Sequence, residues 1–571
     1  VALLAAPAAG RDDADAKLLA LLREDFEAQL ARSPTWASTR GDRRYDDRWE
    51  DVGPAAGEAW VADARARLEA LGRIPREGLS PGNRVNAALL EHELAQRVEG
   101  ERFHAEQLAV TQISGPQISV PQLPEWLSFT APEHFAAFLK RLEALPAHLD
   151  ATAANLRAGL KAGRTPPKGV IGAAAQQALV HAGEDLSADP TRHALYLPFR
   201  KLAPDEPVAA AARLAVRERV VPAFRRFGEF LRDEYIPGCR DSIAASDGPD
   251  GRAYYDFRLR TVTTTPLGAD EIHALGLAEV ARIRGEMEAA MKKTGFAGAV
   301  EEFVEKLRAD PRFFHGSAAE LLRGYRDICK RADAELPRLF GRLPRLSYGV
   351  REMPAYIAPA SPTAYYYRGS RENGVPGWFV ANTYRLDQRP KYEMVPLALH
   401  EAVPGHHLQI ALAQELEGLP EWRTTLGYTV FVEGWGLYAE RLGIEMGLYA
   451  DPYDDFGRLS YEMWRALRLV VDTGIHAKGW SRERAIETML ANAALTRENV
   501  EREVDRYIAW PGQAVAYKIG ERKIRELRAR AEKALGPRFD VRGFHDAVLG
   551  EGAVPLSVLE ENVEAWIASR R

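Results

Sequence analysis

The stretch Leu397-Ala-Leu-His-Glu-Ala-Val-Pro-Gly-His-His-Leu-Gln-Ile410 decides how this chain reads. Three of the thirteen histidines and one carboxylate fall within the eight residues from His400 to His407, in a stretch that is otherwise apolar and helical in pattern. Ionisable groups buried among apolar ones are costly unless they are paired or bind a metal. The stretch predicts either a metal site or a buried polar cluster held by hydrogen bonds.

Residues four apart on a helix lie about 40° apart in azimuth, one turn up, which is how a His-Glu-x-x-His segment grips one ion. Here the residue four places after His400 is Pro404. On a straight helix His406 faces away from His400, and His407 faces the same way but about 10.5 Å further along. Neither then shares an ion with His400 at Zn–N distances of about 2.0–2.1 Å. Pro404, however, has no N–H for the carbonyl of His400, and its ring clashes with that carbonyl. Gly405 permits backbone angles that other residues avoid. The helix is therefore expected to bulge or break at this point, bringing either His406 or His407 in beside His400.

A third ligand is expected from Phe431-Val-Glu-Gly-Trp-Gly-Leu-Tyr-Ala-Glu440. Glu433 lies 26 residues after His407, on a second helix that can return antiparallel to the first, and Glu440 follows two turns on. Two histidines and one glutamate around a single Zn2+ leave a position for water, the pattern of a catalytic site. The metal lowers the pKa of that water, and Glu401 is placed to take its proton as general base.

The rest of the chain frames this motif. It has 571 residues, 46% hydrophobic and 27% charged, with a net charge of -5 and both signs interspersed. That balance favours neither nucleic acid nor an anionic membrane as partner. No apolar run approaches the roughly 20 residues of a transmembrane helix. Residues 1–13 begin Val1-Ala-Leu-Leu-Ala-Ala-Pro-Ala-Ala-Gly10 and read as the remnant of a secretory signal peptide, cut near Ala6–Ala8, or as a disordered tail. The first reading implies a periplasmic or secreted protein; the second leaves the cytoplasm open. Cys239 and Cys329, the two cysteines, allow one disulfide at most.

Apolar residues at helical spacing run through residues 14–110, followed by a Gly/Pro-broken connector from Gln112 to Pro124 and a helical pair from Pro132 to Gly163. Pro204 to Glu234 is again helix-rich. Ala253 to Thr265 is aromatic and β-branched and predicts a short strand. A helix follows within Pro266 to Lys293. Tyr348 to Arg385, rich in Tyr, Pro, Gly and Asn, predicts a small β element with its best strand at Gly377–Tyr384. The expectation is a mainly α protein with one small sheet: a helical N-terminal lobe over 14–345 and a catalytic lobe over 346–571.

His400-Glu-x-x-Pro-Gly-His-His407, Glu433-Gly-Trp-x-Leu-Tyr-Ala-Glu440, Leu469-Val-Val-Asp-Thr-Gly-Ile-His476 and Pro511-Gly-Gln-Ala-x-x-Tyr517 together resemble the bacterial family DUF885, from about residue 20 to the end. That family is similar, at a distance, to the helical gluzincins: thimet oligopeptidase, angiotensin-converting enzyme and the Taq-type carboxypeptidases. The resemblance implies two helical lobes around a deep cleft, and zinc held by His400, by His406 or His407, and by Glu433. It implies Glu401 as base and short peptides as substrates, cleaved by carboxypeptidase or oligopeptidase action. It also implies a late Tyr or His contacting the tetrahedral intermediate, with Tyr517 the first choice and His476 the second.

Other side chains are expected around this centre. Arg465, Arg468, Asp472 and His476 share one helical face. An arginine there can grip a peptide's C-terminal carboxylate, and Asp472 can support a metal-bound histidine. Tyr507, Gln513, Trp378 and Asn382 are candidates to line the substrate site. Two further readings stand beside the peptidase: a non-catalytic helical peptide-binding protein with a structural metal site, and a metal-dependent amidase or esterase on a non-peptide substrate. Oligomeric state is not legible in the sequence.

Overall fold

The computed structural model describes residues 8–354, 358, 362–370 and 374–571. Helices dominate, and the described residues contain one three-stranded sheet of order β1-β3-β2. β1 (Tyr348–Glu352) runs parallel to β3 (Gly377–Ala381) with Tyr348 opposite Gly377. β2 (Ala364–Tyr367) is antiparallel to β3 with Tyr366 opposite Phe379. The sheet falls directly before the histidine stretch, where composition placed it.

Backbone packing divides the chain into two compact units. The first runs to Tyr254 and takes in Pro420–Thr425; the second holds Tyr255–Leu419 and Leu426–Arg571. The compositional boundary at residue 345 lies inside the second unit. The first unit has a core of Phe135, Phe138, Leu142, Phe199, Phe224 and their neighbours. Cys239 and Cys329 are buried free thiols.

Several local expectations are corrected. Ala253 to Thr265 is not a strand: Gly251–Thr263 is helical, because Tyr255 and Leu259 bury one face four residues apart. Tertiary burial overrides the β-branched composition. The connector before Pro124 contains the helix Pro116–Trp126, which buries Val120 and Leu123. Pro132–Ala162 is one helix of 31 residues rather than a pair, despite Pro146, and ends where Gly163 takes a φ of 68°. The first helix begins at Ala8, so only residues 1–7 of the expected tail remain, and these lie outside the described residues.

Seven helices of the second unit position the site. They are α1 (Ala269–Lys293), α2 (Met394–Glu401), α3 (His406–Gln414), α4 (Thr429–Leu442), α5 (Pro452–Lys478), α6 (Ala516–Leu535) and α7 (Val541–Leu549). α1 starts where the Glu271 side chain accepts from the Gly268 N–H at 2.9 Å. α5 starts at Asp451, whose carboxylate accepts from the Tyr453 N–H at 2.9 Å, and stops at Gly479 with φ 66°. Lys518 of α6 is fully buried and bridges three carboxylates: Glu462 of α5 at 2.7 Å, Glu521 at 2.9 Å and Glu279 of α1 at 3.1 Å. One buried cation thus ties three helices together, and Arg282, Arg458 and Arg525 complete the charge balance of the same carboxylates.

α4 and α6 touch backbone to backbone. A Cβ on Gly520 would lie 1.9 Å from the Val430 carbonyl, and one on Gly434 would lie 2.6 Å from the Gly520 Cα. Gly520→Ala is expected to destabilise the fold by about 1–3 kcal/mol through overpacking, read as a lower denaturation midpoint. α7 supports α4 from another side. The buried His545 donates Nδ1–H to the Leu339 carbonyl and accepts at Nε2 from the Tyr438 hydroxyl, both at 2.8 Å. Burial holds its pKa down at about 4. An unfolded histidine titrates near about 6.5, so its contribution is present above that pH and is lost as pH falls toward 4. Denaturant unfolding should lose up to about 3 kcal/mol more over that window in wild type than in His545→Asn; equal pH slopes would contradict this.

Candidate metal centre

The chain breaks its helix at the point where Pro404 cannot donate. α2 ends at Glu401, α3 begins at His406, and four residues turn between them. The Ala402 N–H still bonds the Ala398 carbonyl at 2.9 Å, and the His407 N–H picks up the Ala402 carbonyl at 3.1 Å. The Val403–Pro404 peptide is cis. Gly405 lies directly against α2: a Cβ there would be 2.0 Å from the His400 carbonyl oxygen. Only glycine fits this approach. Trp435 of α4 donates its indole N–H to the Pro404 carbonyl at 2.8 Å, pinning the break to the helix that carries Glu433.

The break turns His406 inward beside His400. Among the described residues, His400, His406 and Glu433 form the one group of metal-ligating type whose donor atoms converge, all within 4.8 Å of one another. Glu433 Oε2 stands 3.5 Å from His400 Nε2 and 3.6 Å from His406 Nε2, and the two rings meet nearly edge to face at 84°. Tetrahedral donors on a zinc with bonds of about 2.0–2.1 Å sit about 3.4 Å apart. The spacing and the donor types fit such an ion.

A carboxylate sets the orientation of His400. Its Nδ1–H donates to Glu440 Oε1 at 2.8 Å, which leaves Nε2 facing Glu433. Glu440 is itself 1% exposed, is approached by Arg465 at 3.4 Å, and accepts the Tyr449 hydroxyl on its main-chain carbonyl. A Cβ on Gly436 would come 2.7 Å from the His400 ring, so the Gly-Trp-Gly of α4 makes room for the imidazole. Burial disfavours a charged His400, but Glu433 and Glu440 outweigh it and hold the pKa up at about 9. Burial also opposes ionisation of Glu433, yet the His400 and His406 rings beside it drive its pKa well below the usual carboxylate range. A cation bound here would compete with protons for the same donor atoms.

His407 turns the other way, and its place among the metal ligands is corrected. Its Nε2–H donates to the Leu346 carbonyl at 3.1 Å, and its Nδ1 accepts from the Tyr366 hydroxyl at 3.0 Å. Its ring packs 4.6 Å from Tyr348, and Gly377 at the start of β3 leaves space for it. His407 therefore fastens the sheet to α3. The two adjacent histidines point in different directions because each residue step along a helix turns the side chain by about 100°.

The remaining candidates divide. Glu401 is 8% exposed and sits next to His400 at the end of α2. Tyr517 lies at the start of α6, its pKa raised by burial and by the Glu433 charge, with the Arg468 guanidinium 4.3 Å over its ring. His476 is fully buried and bonds the Tyr507 carbonyl at 3.0 Å, which commits it to the core rather than to a reacting oxygen. Asp472 makes no bond to His400 or His406; Glu440 is the carboxylate behind His400. Asp472 instead accepts from the Tyr255 hydroxyl at 2.6 Å and the Gly512 N–H at 3.1 Å, and burial pushes its pKa up to about 7.

The four substrate-lining candidates have partners within the fold. The Tyr507 hydroxyl is saturated, donating to Glu503 at 2.8 Å and accepting from Trp464 and Arg468 at 3.1 Å. The Gln513 side-chain oxygen accepts from Arg506. Asn382 is 1% exposed and organises its loop through the carbonyls of Ala358 and Pro362. Trp378 packs against Arg351 in the small cluster around Val380.

The sequence did not single out Glu440 as the partner of His400. The signal was its position seven residues after Glu433, on the same face of α4.

Comparison with known proteins agrees with the fold. The structure of a "putative lipoprotein" from Colwellia psychrerythraea is similar at 28% identity and a TM-score of 0.87, covering 97% of this chain and 100% of that one. A second "putative lipoprotein of unknown function", from Shewanella oneidensis, shares the fold at 18% identity and a TM-score of 0.76, covering 95% and 98%. No curated protein matches. Residues 34–563 match the family described as "Bacterial protein of unknown function (DUF885)", and the chain belongs to that family.

Proposed function

We propose that this protein is a zinc-dependent hydrolase of peptide bonds in short peptides. The observation that carries this reading is the convergence of His400 Nε2, His406 Nε2 and Glu433 Oε2 beside an unspent carboxylate, Glu401. Three protein donors leave a coordination position open, and a site that only holds structure has no use for a base next to it. The likeness of the motifs to helical gluzincins supports peptides as substrates.

The residues divide the work. His400, His406 and Glu433 hold the ion, which when bound supplies a water of lowered pKa and a positive charge beside the scissile carbonyl. Glu401 accepts the proton of the attacking water and passes it to the departing amine. The Tyr517 hydroxyl, kept protonated by burial and by Glu433, donates to the developing oxyanion. Glu440 and Arg465 keep His400 oriented. The description of structural relatives as lipoproteins supports a place in the cell envelope, and no helix of the described residues is long and apolar enough to cross a membrane.

Glu401→Gln is expected to keep full zinc content and lose about 10²–10⁴-fold in kcat on short peptides. A zinc-loaded wild type inactive on a broad peptide library would sink the reading. The two histidines provide a separate check by metal titration. His406→Ala should weaken zinc binding by at least about 100-fold, whereas His407→Ala should bind zinc normally with a lower thermal midpoint. Normal zinc binding by His406→Ala would remove it from the ligand set.

A further inference from the structure

The link between two ligand-bearing helices passes through the other unit. α3 carries His406, α4 carries Glu433, and residues 415–428 join them. Within that link Pro420–Thr425 pack as part of the first unit, while the chain on either side belongs to the second. Glu421–Thr425 is a short helical turn that closes on itself. The Arg423 N–H donates to the Pro420 carbonyl at 2.9 Å, and the Thr425 hydroxyl to the Trp422 carbonyl at 2.8 Å.

The side chains of this turn are bound to residues far away in sequence. Trp422 is 1% exposed and donates its indole N–H to Asp25 Oδ2 at 2.8 Å. Arg423 donates to the Asn86 side-chain oxygen at 2.9 Å, and the Thr424 hydroxyl accepts from Arg40 at 2.6 Å. Asp25 is the anchor. It is fully buried and also accepts from Gln29 at 2.6 Å and Arg97 at 2.9 Å. Burial opposes its charge, but Arg97, Trp422 and Gln29 outweigh burial and hold its carboxyl below the usual range. Hydrogen bonds to a buried carboxylate are strong, and losing one donor leaves a charged oxygen short of a partner.

The anchored turn sits inside the stretch of chain that the His406–Glu433 approach closes, Nε2 to Oε2 at 3.6 Å. Residues 415–419 separate it from α3, and only residues 426–428 separate it from α4. Displacing the turn therefore draws on the start of α4 at Thr429, about one helical turn before Glu433.

We propose that the Pro420–Thr425 turn couples the metal centre to the first unit. The hold on Trp422 sets how closely α3 and α4 bring His406 and Glu433 together, and so sets the affinity for zinc. This rests on the metal-binding part of the reading above. Coupling of this kind is reciprocal, so an ion at the centre tightens the hold on Trp422 by the same factor.

The test reads zinc affinity and hydrogen exchange in the full chain, without turnover. Trp422→Phe keeps a buried ring and removes the donor to Asp25. Asp25→Asn keeps the shape and drops the charge. Leu142→Ala is the control: it weakens the core of the first unit, a cluster that does not include Trp422. Expected is a loss of about tenfold in zinc affinity for Trp422→Phe and for Asp25→Asn, and none for Leu142→Ala. In wild type, zinc should slow exchange of the Trp422 indole N–H by about tenfold, a measurement that needs no variant. Equal zinc affinity in wild type and Trp422→Phe, with indole exchange unchanged by zinc, overturns the coupling and leaves the metal site intact. An equal loss in Trp422→Phe and Leu142→Ala reports first-unit stability in general and also overturns it. A wild type that takes up no zinc overturns the metal-site reading and the coupling with it.

Discussion

Two imidazoles and a carboxylate with donor atoms within 4.8 Å of one another, buried in a helical protein, are the constraint on which the second unit depends. Such a group is unstable in an apolar core unless charge is compensated and every ring is fixed. The surrounding helices meet both demands. Glu440 compensates and orients His400, Arg465 compensates Glu440, and Trp435 holds the bent segment that delivers His406.

Close packing is what makes these bonds possible. Gly405 lets the bent segment lie on the carbonyls of α2, Gly436 admits the His400 ring, and Gly434 with Gly520 lets α4 approach α6. Each is a place where one methyl group would push a donor out of line. Around them, the Lys518 carboxylate cluster and the His545–Tyr438 pair lock α1, α4, α5, α6 and α7 into one framework. The proposed hydrolysis needs rigid support of this kind, since a shift of about 1 Å in a positioned group costs on the order of 100-fold in rate.

The same logic separates the polar residues of α5. Arg465 and Arg468 retain unmet donors near the centre, whereas Asp472 and His476 are committed to Gly512, Tyr255 and Tyr507 further along the helix. Spacing alone put all four on one face. From Arg465 to His476 the helix rises roughly 16 Å at about 1.5 Å per residue, so residues that share a face need not share a site. Tyr507 shows a related failure: its hydroxyl looked available in sequence but is saturated by three neighbours.

The sequence by itself determined the mainly helical class, the small sheet before the histidine stretch, and the break at Pro404. It also marked His400 and Glu433 as a potential pair. These follow from local rules: periodicity, the missing proline N–H and the residue types that bind metal. Only the tertiary structure decided between His406 and His407. It also replaced Asp472 with Glu440 behind His400 and made a helix of Gly251–Thr263. Those outcomes depend on where a partner arrives from a distant part of the chain. Leu346 and Tyr366 capture one histidine and Glu433 meets the other, and no spacing within the motif encodes that meeting.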